Sequence, residues 1–180
     1  MLSLPPLPAW HAIHPLLVHF PVALLLIAPV FIVIGLSRKP ERGFPFLMAA
    51  LILMSLGTIG AFVAASSGHA AGELAESIPQ VEATLEQHEE LAEVTEIVFT
   101  ALTLIFAAIL FVPRMLKCDA NRLISTVLPA IFLVFYAAGA VSLVNTAHQG
   151  GRLVHELGVR AQIHQAKPAG AVVRETTERE

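Results

Sequence analysis

Two histidines open the first apolar segment of the chain, in the run His-Pro-Leu-Leu-Val-His-Phe-Pro from His14 to Pro21. Imidazole is the side chain that most often binds metal ions in proteins, and it also binds haem iron. Because proline is favourable at the first helical position, we expect the helix to begin at Pro15, with His19 about 6 Å further along its axis. These two side chains therefore predict metal or haem chemistry at one end of a helix. The alternative is that His14 only caps the helix and that His19 bonds to a neighbouring carbonyl group.

The composition is typical of a membrane protein rather than a soluble one. Of the 180 residues, 56% are hydrophobic and 14% are charged, whereas soluble domains have roughly 25% charged residues. Aspartate, glutamate, lysine and arginine are absent from four long stretches, residues 1–37, 43–72, 97–113 and 123–151. A helix crosses a bilayer with about 20 apolar residues, and continuous apolar runs are not the alternating segments of a membrane barrel. We therefore predict an all-α integral membrane protein, a four-helix bundle of up-down topology.

The predicted membrane domain takes up residues 1–160. Its four spans are expected at about 15–37, 44–68, 89–112 and 123–147. Residues 161–180 form a polar tail of mixed charge, which we expect to be disordered or docked on a partner. The net charge of −3 predicts no nucleic-acid partner, and Cys118 alone cannot form an intrachain disulfide or a thiolate cluster.

The basic residues predict how the spans cross the membrane. Arg38, Lys39 and Arg42 follow span 1, further basic residues follow span 3, and none occurs from 43 to 113. The positive-inside rule then puts both basic connections in the cytoplasm, which for a bacterial inner membrane leaves both termini in the periplasm. All eight histidines fall on this outer side: His11, His14, His19, His69, His88, His148, His155 and His164. A shared site at the outer membrane edge explains this bias, although the short cytoplasmic connections account for part of it.

The outer ends of spans 2 and 4 combine histidine with small residues. His69 lies in the run Gly-His-Ala-Ala-Gly, a pattern that lets backbones, or a flat macrocycle, approach closely. His148, Arg152 and His155 have i, i+4, i+7 spacing after span 4, so they share a face if the helix continues through the two glycines between them. Arg152 would then bind a haem propionate or another anion.

Acidic residues dominate the region before span 3. Most of them are expected to form a solvated surface that favours a basic partner, such as a soluble periplasmic cytochrome. Glu96 differs because it lies about 12 Å beyond His88 along a helix, at a depth where a carboxylate is costly and usually functional. We therefore predict Glu96 as a catalytic proton acceptor in quinol chemistry or as a partner of a buried histidine. The alternative is an interfacial glutamate that only marks the start of the span.

Three stretches of the chain resemble a known family. They are His14-Pro-Leu-Leu-Val-His19-Phe-Pro-Val-Ala-Leu, His88-Glu89-Glu90-Leu91 at the third span, and Gly150-Gly151-Arg-Leu-Val-His-Glu-Leu-Gly158-Val after the fourth. Together they are similar to the four-span membrane family known as domain of unknown function 2231, over roughly residues 10–160. The resemblance implies a four-helix membrane fold and a likeness to small b-type cytochromes or membrane partners of redox enzymes. The family pattern usually has tyrosine at the position of His155.

The leading hypothesis is a protein that binds haem b and transfers electrons at the outer side of the membrane. In an up-down bundle, spans 1 and 3 are diagonal, as are spans 2 and 4. The first predicted pair of axial metal ligands is therefore His19 with His88. His69 with His148 or His155 would bind a second haem, and His14 is a spare ligand for either. The protein would relay electrons between the quinone pool and a redox partner, with other subunits completing a quinone-linked oxidoreductase complex.

Two other classes of function compete with this hypothesis. The same histidines are also suitable ligands for zinc or copper, because histidine and glutamate alone discriminate poorly between metals. The chain would also suit a cofactor-free membrane anchor or assembly subunit, which would leave the one-sided histidines as coincidence.

Overall fold

The computed structural model describes residues 8–75, 78, 80–117 and 126–160. One turn of 3-10 helix, Trp10–Ala12, precedes five α-helices: α1 His14–Leu17, α2 His19–Leu36, α3 Pro40–Ala75, α4 Glu82–Met115 and α5 Leu128–His155. No strand occurs in these parts of the chain. Since α1 and α2 form one apolar segment, the protein has four helical segments long and apolar enough to cross a membrane. The all-α, four-span fold predicted above is therefore confirmed, whereas the predicted tail 161–180 lies outside the described residues.

The helices extend further at the histidine end than the predicted spans. Helix α3 continues to Ala75, α4 begins at Glu82, and α5 continues through Gly150 and Gly151 to His155. Each of these helices therefore projects about two turns beyond its predicted span. Packing between neighbouring helices maintains these turns in spite of the glycines, since tertiary context commonly overrides helix propensity.

Prolines shape the first apolar segment. The helical hydrogen bonding is interrupted between α1 and α2 at Val18, whose dihedral angles remain α-helical. Three residues later comes Pro21, which has no N–H to donate to the carbonyl of Leu17. Pro29, inside α2, likewise leaves the carbonyl of Leu25 without its helical donor. The hydroxyl of Tyr136 in α5 donates to that carbonyl at 2.6 Å, so one buried side chain replaces the missing bond and joins two helices.

The four segments pack in a ring. Helix α2 packs mainly on α3 and α4 mainly on α5, and the two hairpins meet through α3 and α4 and, less extensively, through α2 and α5. The main apolar core fills the centre and the basic end of this ring, where the rings of Phe106 and Phe132 stack at 4.9 Å. Spans 1 and 3 are therefore diagonal, as expected from an up-down bundle.

A polar layer separates this core from a second, smaller apolar cluster. The smaller cluster contains Ala75, Val81, Leu85 and Leu153, at the ends of α3, α4 and α5 that carry the histidines. Between the two clusters lie side chains that we call the histidine layer, namely His14, Ser67, His88, Thr95, Ser142 and Thr146. The polar side chains of the histidine layer thus lie between two apolar clusters.

The outer surface of the bundle is apolar. In the most hydrophobic 18-residue stretch of each span, only 22–28% of the residues are buried inside the protein. Large side chains such as Val33, Ile59, Leu104 and Val134 are more than half exposed. Contiguous apolar surface of this size marks a membrane or protein contact, and on four helices of spanning length it fits the lipid bilayer. The protein is therefore a multi-pass membrane protein, and its orientation stays a prediction.

Candidate functional site

His14 is fixed against helix α3. Its Nδ1 lies 2.8 Å from the carbonyl oxygen of Ala64 and 3.1 Å from Oγ of Ser67. A carbonyl only accepts hydrogen bonds, so Nδ1 carries the proton. The Ser67 hydroxyl itself donates to the Ala64 carbonyl at 2.8 Å and therefore accepts from the same ring nitrogen. Gly68 lies beside the ring, and a Cβ atom there would be only 2.9 Å from Cε1 of His14.

His88 is fixed in the same way against helix α5. Its Nδ1 donates to the carbonyl of Thr146 at 3.0 Å. Gly150 lies beside this ring, and a Cβ atom there would be 3.1 Å from Cε1 of His88. In both cases the accepting carbonyl lies four residues before the glycine. We call these two arrangements the His14 site and the His88 site.

The two sites lie on diagonal segments of the bundle, at the same end of it. The charge of His88 influences His14 electrostatically. With Nδ1 protonated, Nε2 of a neutral imidazole has a free lone pair. Within the described residues, neither Nε2 atom makes a hydrogen bond. Both rings are thus oriented by one nitrogen while the other remains available to a ligand.

Hydroxyl groups of α4 and α5 hold Thr146, the residue whose carbonyl accepts the hydrogen bond of His88. Oγ1 of Thr95 lies 2.9 Å from both Oγ of Ser142 and Oγ1 of Thr146. The Thr146 hydroxyl also lies 3.0 Å from the carbonyls of Leu91 and Ser142. Thr146, whose carbonyl accepts from His88, is therefore tied to both α4 and α5, and this network determines where that acceptor lies.

His19 has a different environment from the one predicted for a ligand of the bundle interior. Its side chain is exposed, and its Nδ1 lies 2.6 Å from the carbonyl of Pro15, one turn earlier in the same segment. The structure thus turns the ring of His14, rather than that of His19, into the bundle. The reason is rotational: five residues separate His14 and His19, which places them about 140° apart around a helix, so only one of them can face the interior.

His69, Glu89 and Glu96 form a second polar group between α3 and α4. Nδ1 of His69 lies 3.6 Å from Oε1 of Glu89, and this carboxylate packs against the backbone of Gly72. Glu96 lies two turns deeper and interacts electrostatically with His69. Its Oε1 is buried and has no hydrogen-bond partner among the described residues, and the same holds for Oγ1 of Thr100, one turn further along α4.

The predicted ligands of span 4 lie on the surface of α5. His148, Arg152 and His155 line a cavity of about 240 Å³ together with Gly151 and Glu156, so they do share one helix face. The guanidinium of Arg152 bonds to Glu156 at 2.9 Å and to Gln149 at 2.9 Å. His69 contacts α4 and not this cavity, so the pairing of His69 with His148 or His155 stays a prediction.

Sequence reasoning missed the groups that orient the two sites. The acceptors are main-chain carbonyls of Ala64 and Thr146, which no side-chain pattern reveals. The sequence does show Gly68 and Gly150. Each follows, four residues later, the small or hydroxyl residue whose carbonyl accepts the hydrogen bond, and this spacing was the signal that could have located the two sites. In the described residues, no group of three or more histidine, cysteine, aspartate or glutamate side chains is arranged to bind a metal ion.

Comparison with known proteins identifies the family. No curated protein and no solved structure matches the chain. The family described as predicted membrane protein (DUF2231) matches residues 10–162, which contain both histidine sites and all four spans. The resemblance inferred from the three sequence motifs is therefore confirmed, and the chain belongs to this family of membrane proteins.

Proposed function

We propose that the protein binds one haem b between His14 and His88 and transfers electrons at the histidine end of the bundle. The observation that carries this proposal is the matched pair of imidazoles, each with Nδ1 bonded to a carbonyl and Nε2 free. Metal-binding histidines almost always donate their second ring nitrogen to such an acceptor, which fixes the ring and its tautomer. His14 replaces His19 in this proposal because its ring is part-buried against α3, whereas the ring of His19 is exposed.

The chemistry of the site fits haem better than zinc or copper. A structural zinc ion takes four protein ligands and a catalytic zinc ion takes three, whereas a haem iron needs only axial ligands from the protein. His14 and His88, each packed against a glycine, would be the two protein ligands of such an iron. When bound, the haem would supply a one-electron couple, and the protein would supply its orientation and a half-buried site between two apolar clusters.

The acidic surface of α4 supports a basic electron partner. Its exposed carboxylates include those of Glu82, Glu86, Glu90 and Glu93, and no lysine or arginine occurs between residues 43 and 113. A surface of one sign steers an oppositely charged partner and raises the rate of encounter. A basic periplasmic cytochrome, or a basic subunit of a larger redox complex, suits this surface.

Quinol oxidation is a second candidate activity, and the position of Glu96 favours it. Oxidation of a quinol releases protons as well as electrons, so the site needs an acceptor near the membrane interior. The buried, unpartnered Oε1 of Glu96 suits that role. Replacement by glutamine should slow reduction of the haem by a quinol analogue roughly 100-fold and leave the absorption spectrum unchanged. An unchanged rate would remove Glu96 from the mechanism.

The test of haem binding is the absorption spectrum of the detergent-purified protein, oxidised and then reduced with dithionite, with haem and metal quantified on the same sample. We expect a b-type spectrum and one haem per chain. His14→Ala and His88→Ala should each abolish the low-spin spectrum, whereas His148→Ala, at an exposed position on α5, should not. Protein without haem from haem-replete cells would overturn the proposal. Bound zinc or copper would then favour a metal protein, and neither would favour a membrane anchor.

A further inference from the structure

A cavity of about 200 Å³ lies at the opposite end of the bundle from the histidine layer. All four segments contribute to it, through the C-terminal ends of α2 and α4 and the N-terminal ends of α3 and α5. Its apolar walls include Leu36, Leu47, Ile109 and Leu110. Close contact between α2 and α3 forms one wall, since a Cβ atom at Gly43 would lie 2.2 Å from the carbonyl oxygen of Gly35.

Two arginines supply the charge of this cavity. Arg38 and Arg114 are both among its lining residues, and none of the lining residues that the structure describes is acidic. The guanidinium of Arg114 lies over the ring of Phe44, 4.0 Å from its centroid, and one of its N–H groups donates to the carbonyl of Leu110. No carboxylate in the described residues forms an ion pair with either arginine. Arg114 is thus held in place while most of its N–H donors remain available.

An unpaired guanidinium over an aromatic ring is suited to a phosphate group. Arginine has five N–H donors in a planar fork, which match the oxygens of a phosphate in pairs. Apolar walls beside the two cations suit the glycerol and first methylene groups of a lipid. Basic pockets between membrane helices commonly bind the headgroups of anionic lipids.

We propose that this cavity binds the phosphate of an anionic phospholipid headgroup, with Arg114 and Arg38 as its ligands. The site is at the far end of the bundle from the proposed haem and does not depend on it. A bound lipid at this point would connect the ends of all four segments.

The experiment measures lipid retention by native mass spectrometry of the full-length protein. The probes are phosphatidylglycerol and phosphatidylcholine of equal chain length, each added to delipidated protein. We expect phosphatidylglycerol to bind at least tenfold more tightly than phosphatidylcholine. Arg38→Gln and Arg114→Gln should each weaken phosphatidylglycerol binding roughly tenfold, the typical loss for one charge-assisted hydrogen bond.

Two neighbouring basic residues provide matched controls. Lys39 lies in the connection between α2 and α3 and Arg42 in the first turn of α3. Neither lines the cavity, so Lys39→Gln and Arg42→Gln should change binding less than twofold. Equal losses in all four variants would show general surface attraction and overturn the proposal, as would equal binding of the two lipids. The side chain of Arg38 is exposed and makes no hydrogen bond or ion pair within the described residues, so Arg38→Gln keeps the test valid if Arg114→Gln fails to fold.

Competition with inorganic phosphate distinguishes a lipid headgroup from the free anion as the source of the bound phosphate group. We expect millimolar phosphate to leave phosphatidylglycerol bound, because the apolar walls contribute to lipid affinity. Displacement by phosphate, with the same dependence on Arg38 and Arg114, would support the phosphate site and assign it to the free anion.

Discussion

The His14 site and the His88 site contain the same three parts, an imidazole, a carbonyl acceptor and a glycine four residues after the acceptor, but they are positioned by different means. His88 lies in the second turn of α4, a helix of 34 residues, and Thr146 is tied in place by hydroxyl groups of α4 and α5. His14 begins α1, a helix of only four residues, and depends on Ala64 and Ser67 of α3 for its orientation.

The difference shows how two chain segments of unequal rigidity produce equivalent ligands. His14 is the first helical residue of its segment, and helix ends fray, so contacts with α3 determine its position. The position of His88, in contrast, is determined by the long, packed helix α4 that contains it. We therefore expect perturbations of comparable size to affect the His14 site more than the His88 site.

The largest predicted effect separates the two glycines. Gly68→Ala should lower haem retention at least tenfold, because its Cβ would lie 2.9 Å from the His14 ring, well inside contact distance. Gly150→Ala should have a smaller effect, since its Cβ would lie 3.1 Å from His88. Gly151→Ala is the control, because nothing lies within 4 Å of a Cβ at that position. Haem per chain is the measurement, and equal losses at positions 68 and 150 would contradict the proposed difference in rigidity.

The second effect tests whether weaker contact between α2 and α5 leaves the two histidine sites intact. Tyr136→Phe removes the donor to the Leu25 carbonyl and leaves that buried acceptor unpaired, at an expected cost of about 1–3 kcal/mol in the free energy of unfolding. Unfolding in mixed micelles measures this cost. The haem spectrum should not change, since Tyr136 lies in the main core. The exposed Phe135, replaced by leucine, is the control.

A smaller effect should be confined to the His14 site. Ser67→Ala removes one of the two acceptors of Nδ1 of His14 and should weaken haem binding about fivefold, equivalent to roughly 1 kcal/mol for one hydrogen bond. Ser66→Ala, at the exposed neighbouring position, should have no effect. Haem titration of the apoprotein measures the affinities, and equal values for the two variants would show that the Ala64 carbonyl alone orients the ring.

The smallest predicted effect concerns His19. Its exposed ring bonds only within its own segment, so His19→Ala should change haem affinity less than twofold. Loss of the low-spin spectrum in this variant would restore His19 as an axial ligand and exclude His14 from that role. The same titration therefore decides between the two histidines of the opening motif.

Local properties of the chain determined the fold and also which end of the bundle carries the histidines. Four long stretches without charged residues predict four membrane helices, because no other secondary structure satisfies its backbone polar groups within a single apolar segment. Their short connections predict antiparallel neighbours and hence diagonal first and third spans. The one-sided distribution of the eight histidines likewise predicts which end has the chemistry.

Only the tertiary structure determined which histidines come together and what orients them. The sequence contains His14 and His19 in one motif, and either fits a helix start; the choice depends on the rotation of that helix against α3. Nor does any residue pattern identify the carbonyls of Ala64 and Thr146 as acceptors, since every residue has one. The physical reason is that side-chain spacing specifies the faces of a single helix, whereas the partner across the bundle depends on how four helices pack together.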